Sequence, residues 1–199
     1  MIYHFYYSIH GWFLQEKLFT QMVLSCNDTD KYNFLEVGSW KGKSSTFMAV
    51  EIINSHKDIT FHCVDTWQGS KEHRDRNNPS FEPLCFIEDG LYNEFIKNIE
   101  PVKSVINPIK MDSVSASALF EDESLDFVFI DGAHDYHSVK EDIVHWYPKV
   151  KKGGYIAGDD YVWPDVSKAV TEFFEFKRII PIQSKFYDRL VDQTWLVCK

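Results

Sequence analysis

Three acids carry the strongest chemical signal in the chain. Asp131 follows Phe127-Val128-Phe129-Ile130, and Asp159 and Asp160 follow Tyr155-Ile156-Ala157-Gly158. Each apolar run has the length of a buried strand, so all three carboxylates emerge where strands end. If the two strands are neighbours, the acids converge on one small volume. Unrelieved repulsion there costs on the order of several kcal/mol, or drives one pKa sharply upward. A hard divalent cation removes the problem, and all-oxygen ligation favours magnesium, calcium or manganese. Successive strand residues point to opposite faces, so Asp159 and Asp160 share a cation only if the strand stops before them. The competing expectation is that Asp131 caps the next helix and the later pair is solvated.

His134, three residues beyond Asp131, is the preferred base for a hydroxyl proton, because an unperturbed imidazole titrates near ~6.5. A structural histidine at the mouth of the next helix, bonded to Asp135, is the alternative. His137 is less well placed, and His145 reads as a helix residue.

A second group surrounds Glu36-Val37-Gly38-Ser39-Trp40-Lys41-Gly42-Lys43-Ser44. Gly38 and Gly42 permit a tight turn and close backbone approach, and the helix that follows offers free N–H groups to an anion. Ser44 adds a hydroxyl donor. The spacing is not G-x-G-x-x-G, and by itself it fits an ordinary strand-to-helix turn equally well. Asp65, about twenty residues further on, ends the next apolar run at the offset where an acid accepts bonds from ribose hydroxyls. Turn and acid together point to an adenosine-bearing cofactor.

The elements that must position these groups alternate. Leu14, Leu18 and Met22 recur at helical spacing after an aromatic leader, so residues 1–30 read as a helical lead-in. Strands are expected at 32–37, 61–64, 104–109, 125–130 and from 155, with two more near 179–182 and 194–198. Helices are expected at 44–54, 86–98 and 138–149. Residues 67–83 carry Gly69, Asn77, Asn78 and two prolines among many charges, a loop by composition suited to an acceptor pocket or lid. Such alternation predicts one α/β domain over residues 1–199, a mostly parallel seven-stranded sheet with helices on both faces. Ligands of such sheets sit at the carboxyl ends of the strands.

With those blocks in order, F-L-E-V-G-S-W-K-G-K-S, C-V-D-T-W-Q-G-S, F-I-D-G-A-H-D-Y and G-D-D-Y, the chain resembles class I S-adenosylmethionine-dependent methyltransferases. It is most similar to their metal-dependent small-molecule O-methyltransferases, including macrolide-sugar enzymes, and a similar D-G-x-H-x-Y block occurs in cephalosporin hydroxylase-like proteins. The resemblance implies a Rossmann-like fold and S-adenosylmethionine as cofactor. It places Glu36, Gly38 and Gly42 along the methionine portion, Ser44 at its carboxylate, Asp65 at the ribose, and Asp112 and Ser113 by the adenine. An N-cap role for Asp112 ahead of Ser113 is equally open. Asp131, Asp159 and Asp160 become the ligands of a divalent cation, magnesium first, with His134 standing where catechol-methylating relatives carry lysine. Trp67 is expected near the adenine or in loop packing.

Composition limits the partners. The formal net charge of -9 disfavours nucleic acid, whose binding is supplied mainly by Lys and Arg. A small-molecule hydroxyl, on a sugar, vicinal diol or catechol, is the expected acceptor, and a homo-oligomer is compatible with the sequence. Cys26, Cys63, Cys85 and Cys198 are scattered, which argues against a zinc site or disulfide framework. No apolar run reaches the ~20 residues of a membrane helix, so the expected setting is cytoplasmic. A nicotinamide oxidoreductase would require the missing glycine spacing, and a non-catalytic S-adenosylmethionine-binding protein would have less use for three acids.

Overall fold

The computed structural model describes residues 1–186 and 189–199. Seven strands form one sheet in the order β3-β2-β1-β4-β5-β7-β6. They are β1 Lys31–Val37, β2 Asp58–Asp65, β3 Ile106–Lys110, β4 Leu125–Ile130, β5 Val150–Gly158, β6 Ile180–Phe186 and β7 Arg189–Cys198. The first five are mutually parallel, while β7 runs antiparallel to both β5 and β6. The chain therefore reverses its direction of growth across the β1–β4 pair, and that crevice is where a ligand fits in such sheets.

Strand alternation divides the core in two. Phe34, Phe61, Cys63, Phe127 and Phe129 face α1 (Glu16–Ser25), α2 (Lys43–Ser55) and α4 (Gly90–Ile99). Leu35, Val37, Val64, Val128 and Ile130 face α5 (Ser113–Ser117), α6 (Tyr136–Trp146) and α7 (Pro164–Phe173). The three helices on this second face start where their sequences supply an N-cap or an opening proline. Asp112 accepts from Ser115 N at 2.9 Å, Asp135 accepts from Ser138 N at 3.1 Å, and Pro164 opens α7. No helix among the described residues is long and apolar enough to cross a membrane.

Local departures from the expected pattern have local causes. The 67–83 stretch contains a helical turn, α3 (Lys71–Arg74), closed by Ser70 Oγ against His73 Nδ1 at 2.8 Å. The helix expected from Phe86 starts at Gly90. Asp89 before it is left-handed (φ +54°), and Pro83–Phe86 forms a separate 3-10 turn. Strand β5 starts at Val150 and passes through Gly153 and Gly154, its register with β4 shifting between Leu125 and Phe127.

Candidate active site

The turn after β1 is locked to the ends of both neighbouring strands. Gly38 N donates to Val64 O at 2.9 Å, and Asp131 N donates to Val37 O at 2.8 Å. Gly38 has φ +88°, and a Cβ there would lie 2.0 Å from the Asp131 carbonyl oxygen. The turn after β1 and the β4 acid are thus in backbone contact. Gly42, also left-handed (φ +85°), precedes α2 and packs on Phe95 and Ile99.

Glu36 is fully buried, and Ser45 Oγ donates to its Oε2. Burial raises its carboxyl to about 7. Its Oε1, Ser39 Oγ and Trp40 Nε1 are buried without a hydrogen-bond partner. Buried polar groups are rarely left so, and three within five residues mark a place shaped for a polar ligand. Ser44 lies buried at the start of α2 beside them.

Asp65 sits against this turn. Its Oδ2 accepts from Trp40 N at 2.8 Å and its Oδ1 from Trp67 N at 2.7 Å. Burial raises its pKa, while these backbone donors oppose the rise. The backbone N–H groups of Thr66 and Ser39 also favour its ionised form. Trp67 is packed in the core against Tyr92 and Phe95, and its Nε1 donates to Trp40 O at 2.7 Å. Asp112 is the N-cap of α5, and Ser113 Oγ accepts from Trp146 Nε1 at 2.8 Å. Both stand one strand beyond Asp65, since Asp65 pairs with Lys110.

The 67–83 segment is fastened over the turn rather than loose above it. Lys41 Nζ donates to Glu82 with both side chains nearly buried, and the Trp40 ring stacks on His73 at 4.0 Å. Replacing one partner strands the other charge. Glu82→Ala is expected to cost about 3 kcal/mol in urea unfolding. The double change Lys41→Met with Glu82→Met should recover most of it.

At the neighbouring strand ends the acids gather. Asp159 N donates to Ile130 O at 3.0 Å, and the strand β5 ends at Gly158, with Asp160 left-handed (φ +56°). That bend frees the Asp160 side chain from strand alternation. His134 Nε2 lies 2.8 Å from Asp160 Oδ2 and 4.0 Å from Asp131 Oδ1. One ligand atom from each of Asp131, His134 and Asp160 falls within 4.8 Å of the others. The Asp159 carboxylate is held elsewhere, accepting from Gln15 Nε2 at 2.7 Å and Gln193 Nε2 at 3.0 Å. Burial raises Asp131 to about 6 against the opposing pull of His134, with Asp160 adding to the rise, and burial with the neighbouring acids pushes Asp159 well above its ordinary value. Burial pulls the His134 imidazole down, but Asp131 and Asp160 outweigh it and hold it at about 10.

Residues 35–161 match a family model described as a methyltransferase domain. The chain belongs to this methyltransferase family. The match runs from β1 to the residue after Asp160 and so contains the Gly38–Gly42 turn, Asp65 and all three acids. The methyltransferase is 29% identical over 142 residues to uncharacterized protein R132 of Acanthamoeba polyphaga mimivirus, covering 58% of this chain and 61% of that protein. It is 30% identical over 95 residues to uncharacterized protein y4gI of Sinorhizobium fredii, covering 47% of this chain and 9% of that one. The chain therefore spans less than two thirds of the length of the curated relatives it matches.

Among solved structures, the O-methyltransferase NovP superposes with a TM-score of 0.64 at 21% identity, over 93% of this chain and 79% of that one. Cofactor-bound Rv0187 from MTB gives 0.64 at 12% identity, over 96% and 83%. A SAM-dependent O-methyltransferase from Thermotoga maritima gives 0.58 at 13% identity, over 94% and 66%. These likenesses establish the class I methyltransferase fold, with its mostly parallel seven-stranded sheet.

Within the methyltransferase, the structure brings Glu36, Gly38, Gly42, Ser44 and Asp65 to one turn and Asp131, His134 and Asp160 to one adjoining cluster. Gln15, Gln193 and Trp163 were not legible as site residues. Gln15 lies 144 residues from the acid it touches, and Trp163, 53% exposed, has its ring 5.6 Å from that of His134. A glutamine beside a helix start carries no chemical signature, and only the fold supplies its partner.

Proposed function

We propose that the methyltransferase moves the methyl group of S-adenosylmethionine to a hydroxyl oxygen of a small molecule, a sugar, vicinal diol or catechol, with a divalent cation at the acid cluster. The observation that carries this reading is the backbone contact between Gly38 and Asp131, which sets the cofactor turn beside Asp131, His134 and Asp160. The unpartnered Glu36 Oε1, Ser39 Oγ and Trp40 Nε1 suit the charged amino-acid end of the cofactor. Asp65 suits its ribose, and the turn at Asp112–Ser113 suits its adenine.

The carboxylates of Asp131 and Asp160 are a fitting oxygen donor pair for a hard divalent metal, with His134 beside them. Such a cation, magnesium first, would lower the pKa of a hydroxyl and fix its position. A cation on Asp131 and Asp160 would take over the charge that keeps His134 protonated, and so would free its Nε2 to accept the hydroxyl proton. The net charge of -9 supports a small acceptor over nucleic acid, and four free cysteines, three of them buried, accord with a cytoplasmic setting.

Calorimetric titration with S-adenosylmethionine and S-adenosylhomocysteine, with and without magnesium, tests the reading. Transfer of labelled methyl to a panel of sugars and catechols completes it. Cofactor binding without metal and transfer only with metal is the expected pattern. Tight binding of NAD with none of S-adenosylmethionine would sink it.

The buried acids also set a pH dependence. Glu36 is raised to about 7 and Asp142, buried on α6, to about 6, burial being the leading cause for both. Between the unfolded carboxylate range and these values, the folded chain holds protons that the unfolded chain releases, so stability falls as pH rises. Glu36 alone accounts for about 3 kcal/mol across that window. Thermal melts of the ligand-free protein should show Tm falling from pH 6 to pH 8, with a shallower fall for Glu36→Gln. A flat wild-type profile would refute the assignment.

A further inference from the structure

Gln15 is 3% exposed, and its amide orientation is fixed from both ends. Its Oε1 accepts from Leu14 N at 2.9 Å, so Nε2 must face the other way, where it donates to Asp159 Oδ1 at 2.7 Å and to Thr194 Oγ1 at 3.1 Å. From the opposite side, Gln193 Nε2 lies 3.0 Å from Asp159 Oδ1 and 2.8 Å from Asp160 Oδ1. Two neutral amides, one from the N-terminal leader and one from β7, therefore grip adjacent acids whose backbone has just left the sheet.

We infer that Gln193 is a positioning residue that sets the Asp160 carboxylate for the divalent cation, and that Gln15 positions it in turn by holding Asp159, the acid Gln193 also grips. The inference rests on the cation reading above. A lysine or arginine at either place would neutralise the acids and compete with a metal, whereas an amide orients a carboxylate and leaves its charge in place. The same leader also reaches the cofactor turn, because Lys43 Nζ donates to Gly11 O at 2.8 Å. Residues 11–15 thus touch both halves of the site.

The test is titration of the full chain with Mn²⁺, comparing wild type, Gln15→Met and Gln193→Met. Methionine keeps the length of the side chain and removes the donors. Mn²⁺ affinity should fall roughly tenfold to a hundredfold in each variant, the usual effect of losing a hydrogen bond to a metal-ligating group. S-adenosylmethionine affinity should stay within about twofold of wild type, since neither side chain meets the cofactor turn. Wild-type Mn²⁺ affinity in both variants overturns the inference. Should Gln15→Met fail to fold, Gln193→Met alone decides. If wild type itself takes up no Mn²⁺, the cation reading fails, and exchange of the Gln15 side-chain amide protons, followed by NMR, decides the contact separately. Slow exchange that becomes fast in Asp159→Ala supports it, and fast exchange in wild type overturns it.

Discussion

Gly38→Ala is expected to be the most damaging single methyl addition in the chain. A left-handed backbone costs an alanine about 1 kcal/mol. At Gly38 the new carbon would also fall 2.0 Å from the Asp131 carbonyl oxygen and 2.8 Å from Gly132 N. Backbone cannot rotate aside as a side chain can, so β1 and β4 must part at their carboxyl ends. Overpacking of this kind adds about 3 kcal/mol or more, giving a total near ~4 kcal/mol. Two other glycines separate the contributions. Gly153 has φ +80° and open space around it, so Gly153→Ala reports the backbone cost alone. Gly42 has φ +85° with its nearest contacts at 3.1 Å on the Phe95 and Ile99 side chains, which can give, and should fall between. Urea unfolding of the three variants checks the order, and S-adenosylmethionine affinity should vanish first in Gly38→Ala. Equal losses at Gly38 and Gly153 would remove the close approach from the argument.

Asp131→Asn should separate stability from function in opposite directions. Asp131 is raised to about 6 by burial, which outweighs the opposing His134, with Asp160 and Asp65 adding to the rise. Its ionisation at neutral pH is therefore a cost to the ligand-free fold, and the near-isosteric amide should raise stability by about 1–2 kcal/mol at pH 8. The sign follows from linkage, because a carboxyl with a raised folded pKa is less stabilising above that value. The same change takes a negative donor from the cluster with His134 and Asp160. Methyl transfer should then fall roughly a thousandfold, the scale set by losing one preorganised charge at the reacting centre. Affinity for S-adenosylmethionine should change little, since Gly38 meets the backbone of Asp131 and not its carboxylate. A variant more stable, still binding cofactor and unable to transfer is the expected result. Full turnover in Asp131→Asn would take the carboxylate out of the chemistry.

Much of this site was legible before any fold was known. Glu36, Gly38 and Asp65 stand at strand ends and Gly42 at the helix start that follows, in a spacing that the alternation of apolar runs exposes, and local backbone demands explain them. The same holds for Asp131, because a short apolar run that ends in an acid declares both the strand and its rim. What the sequence determined about this protein is therefore the set of groups at the carboxyl edge of a parallel sheet, together with the methyltransferase class. Tertiary structure alone decided how those groups are shared out. It turned Asp160 toward His134 and gave Asp159 to Gln15 and Gln193. It also fastened the 67–83 segment to the cofactor turn through Lys41 and Glu82. Each of these choices pairs side chains from distant parts of the chain. Residue type and spacing record local periodicity, while a contact across 144 residues depends on the order in which strands join the sheet.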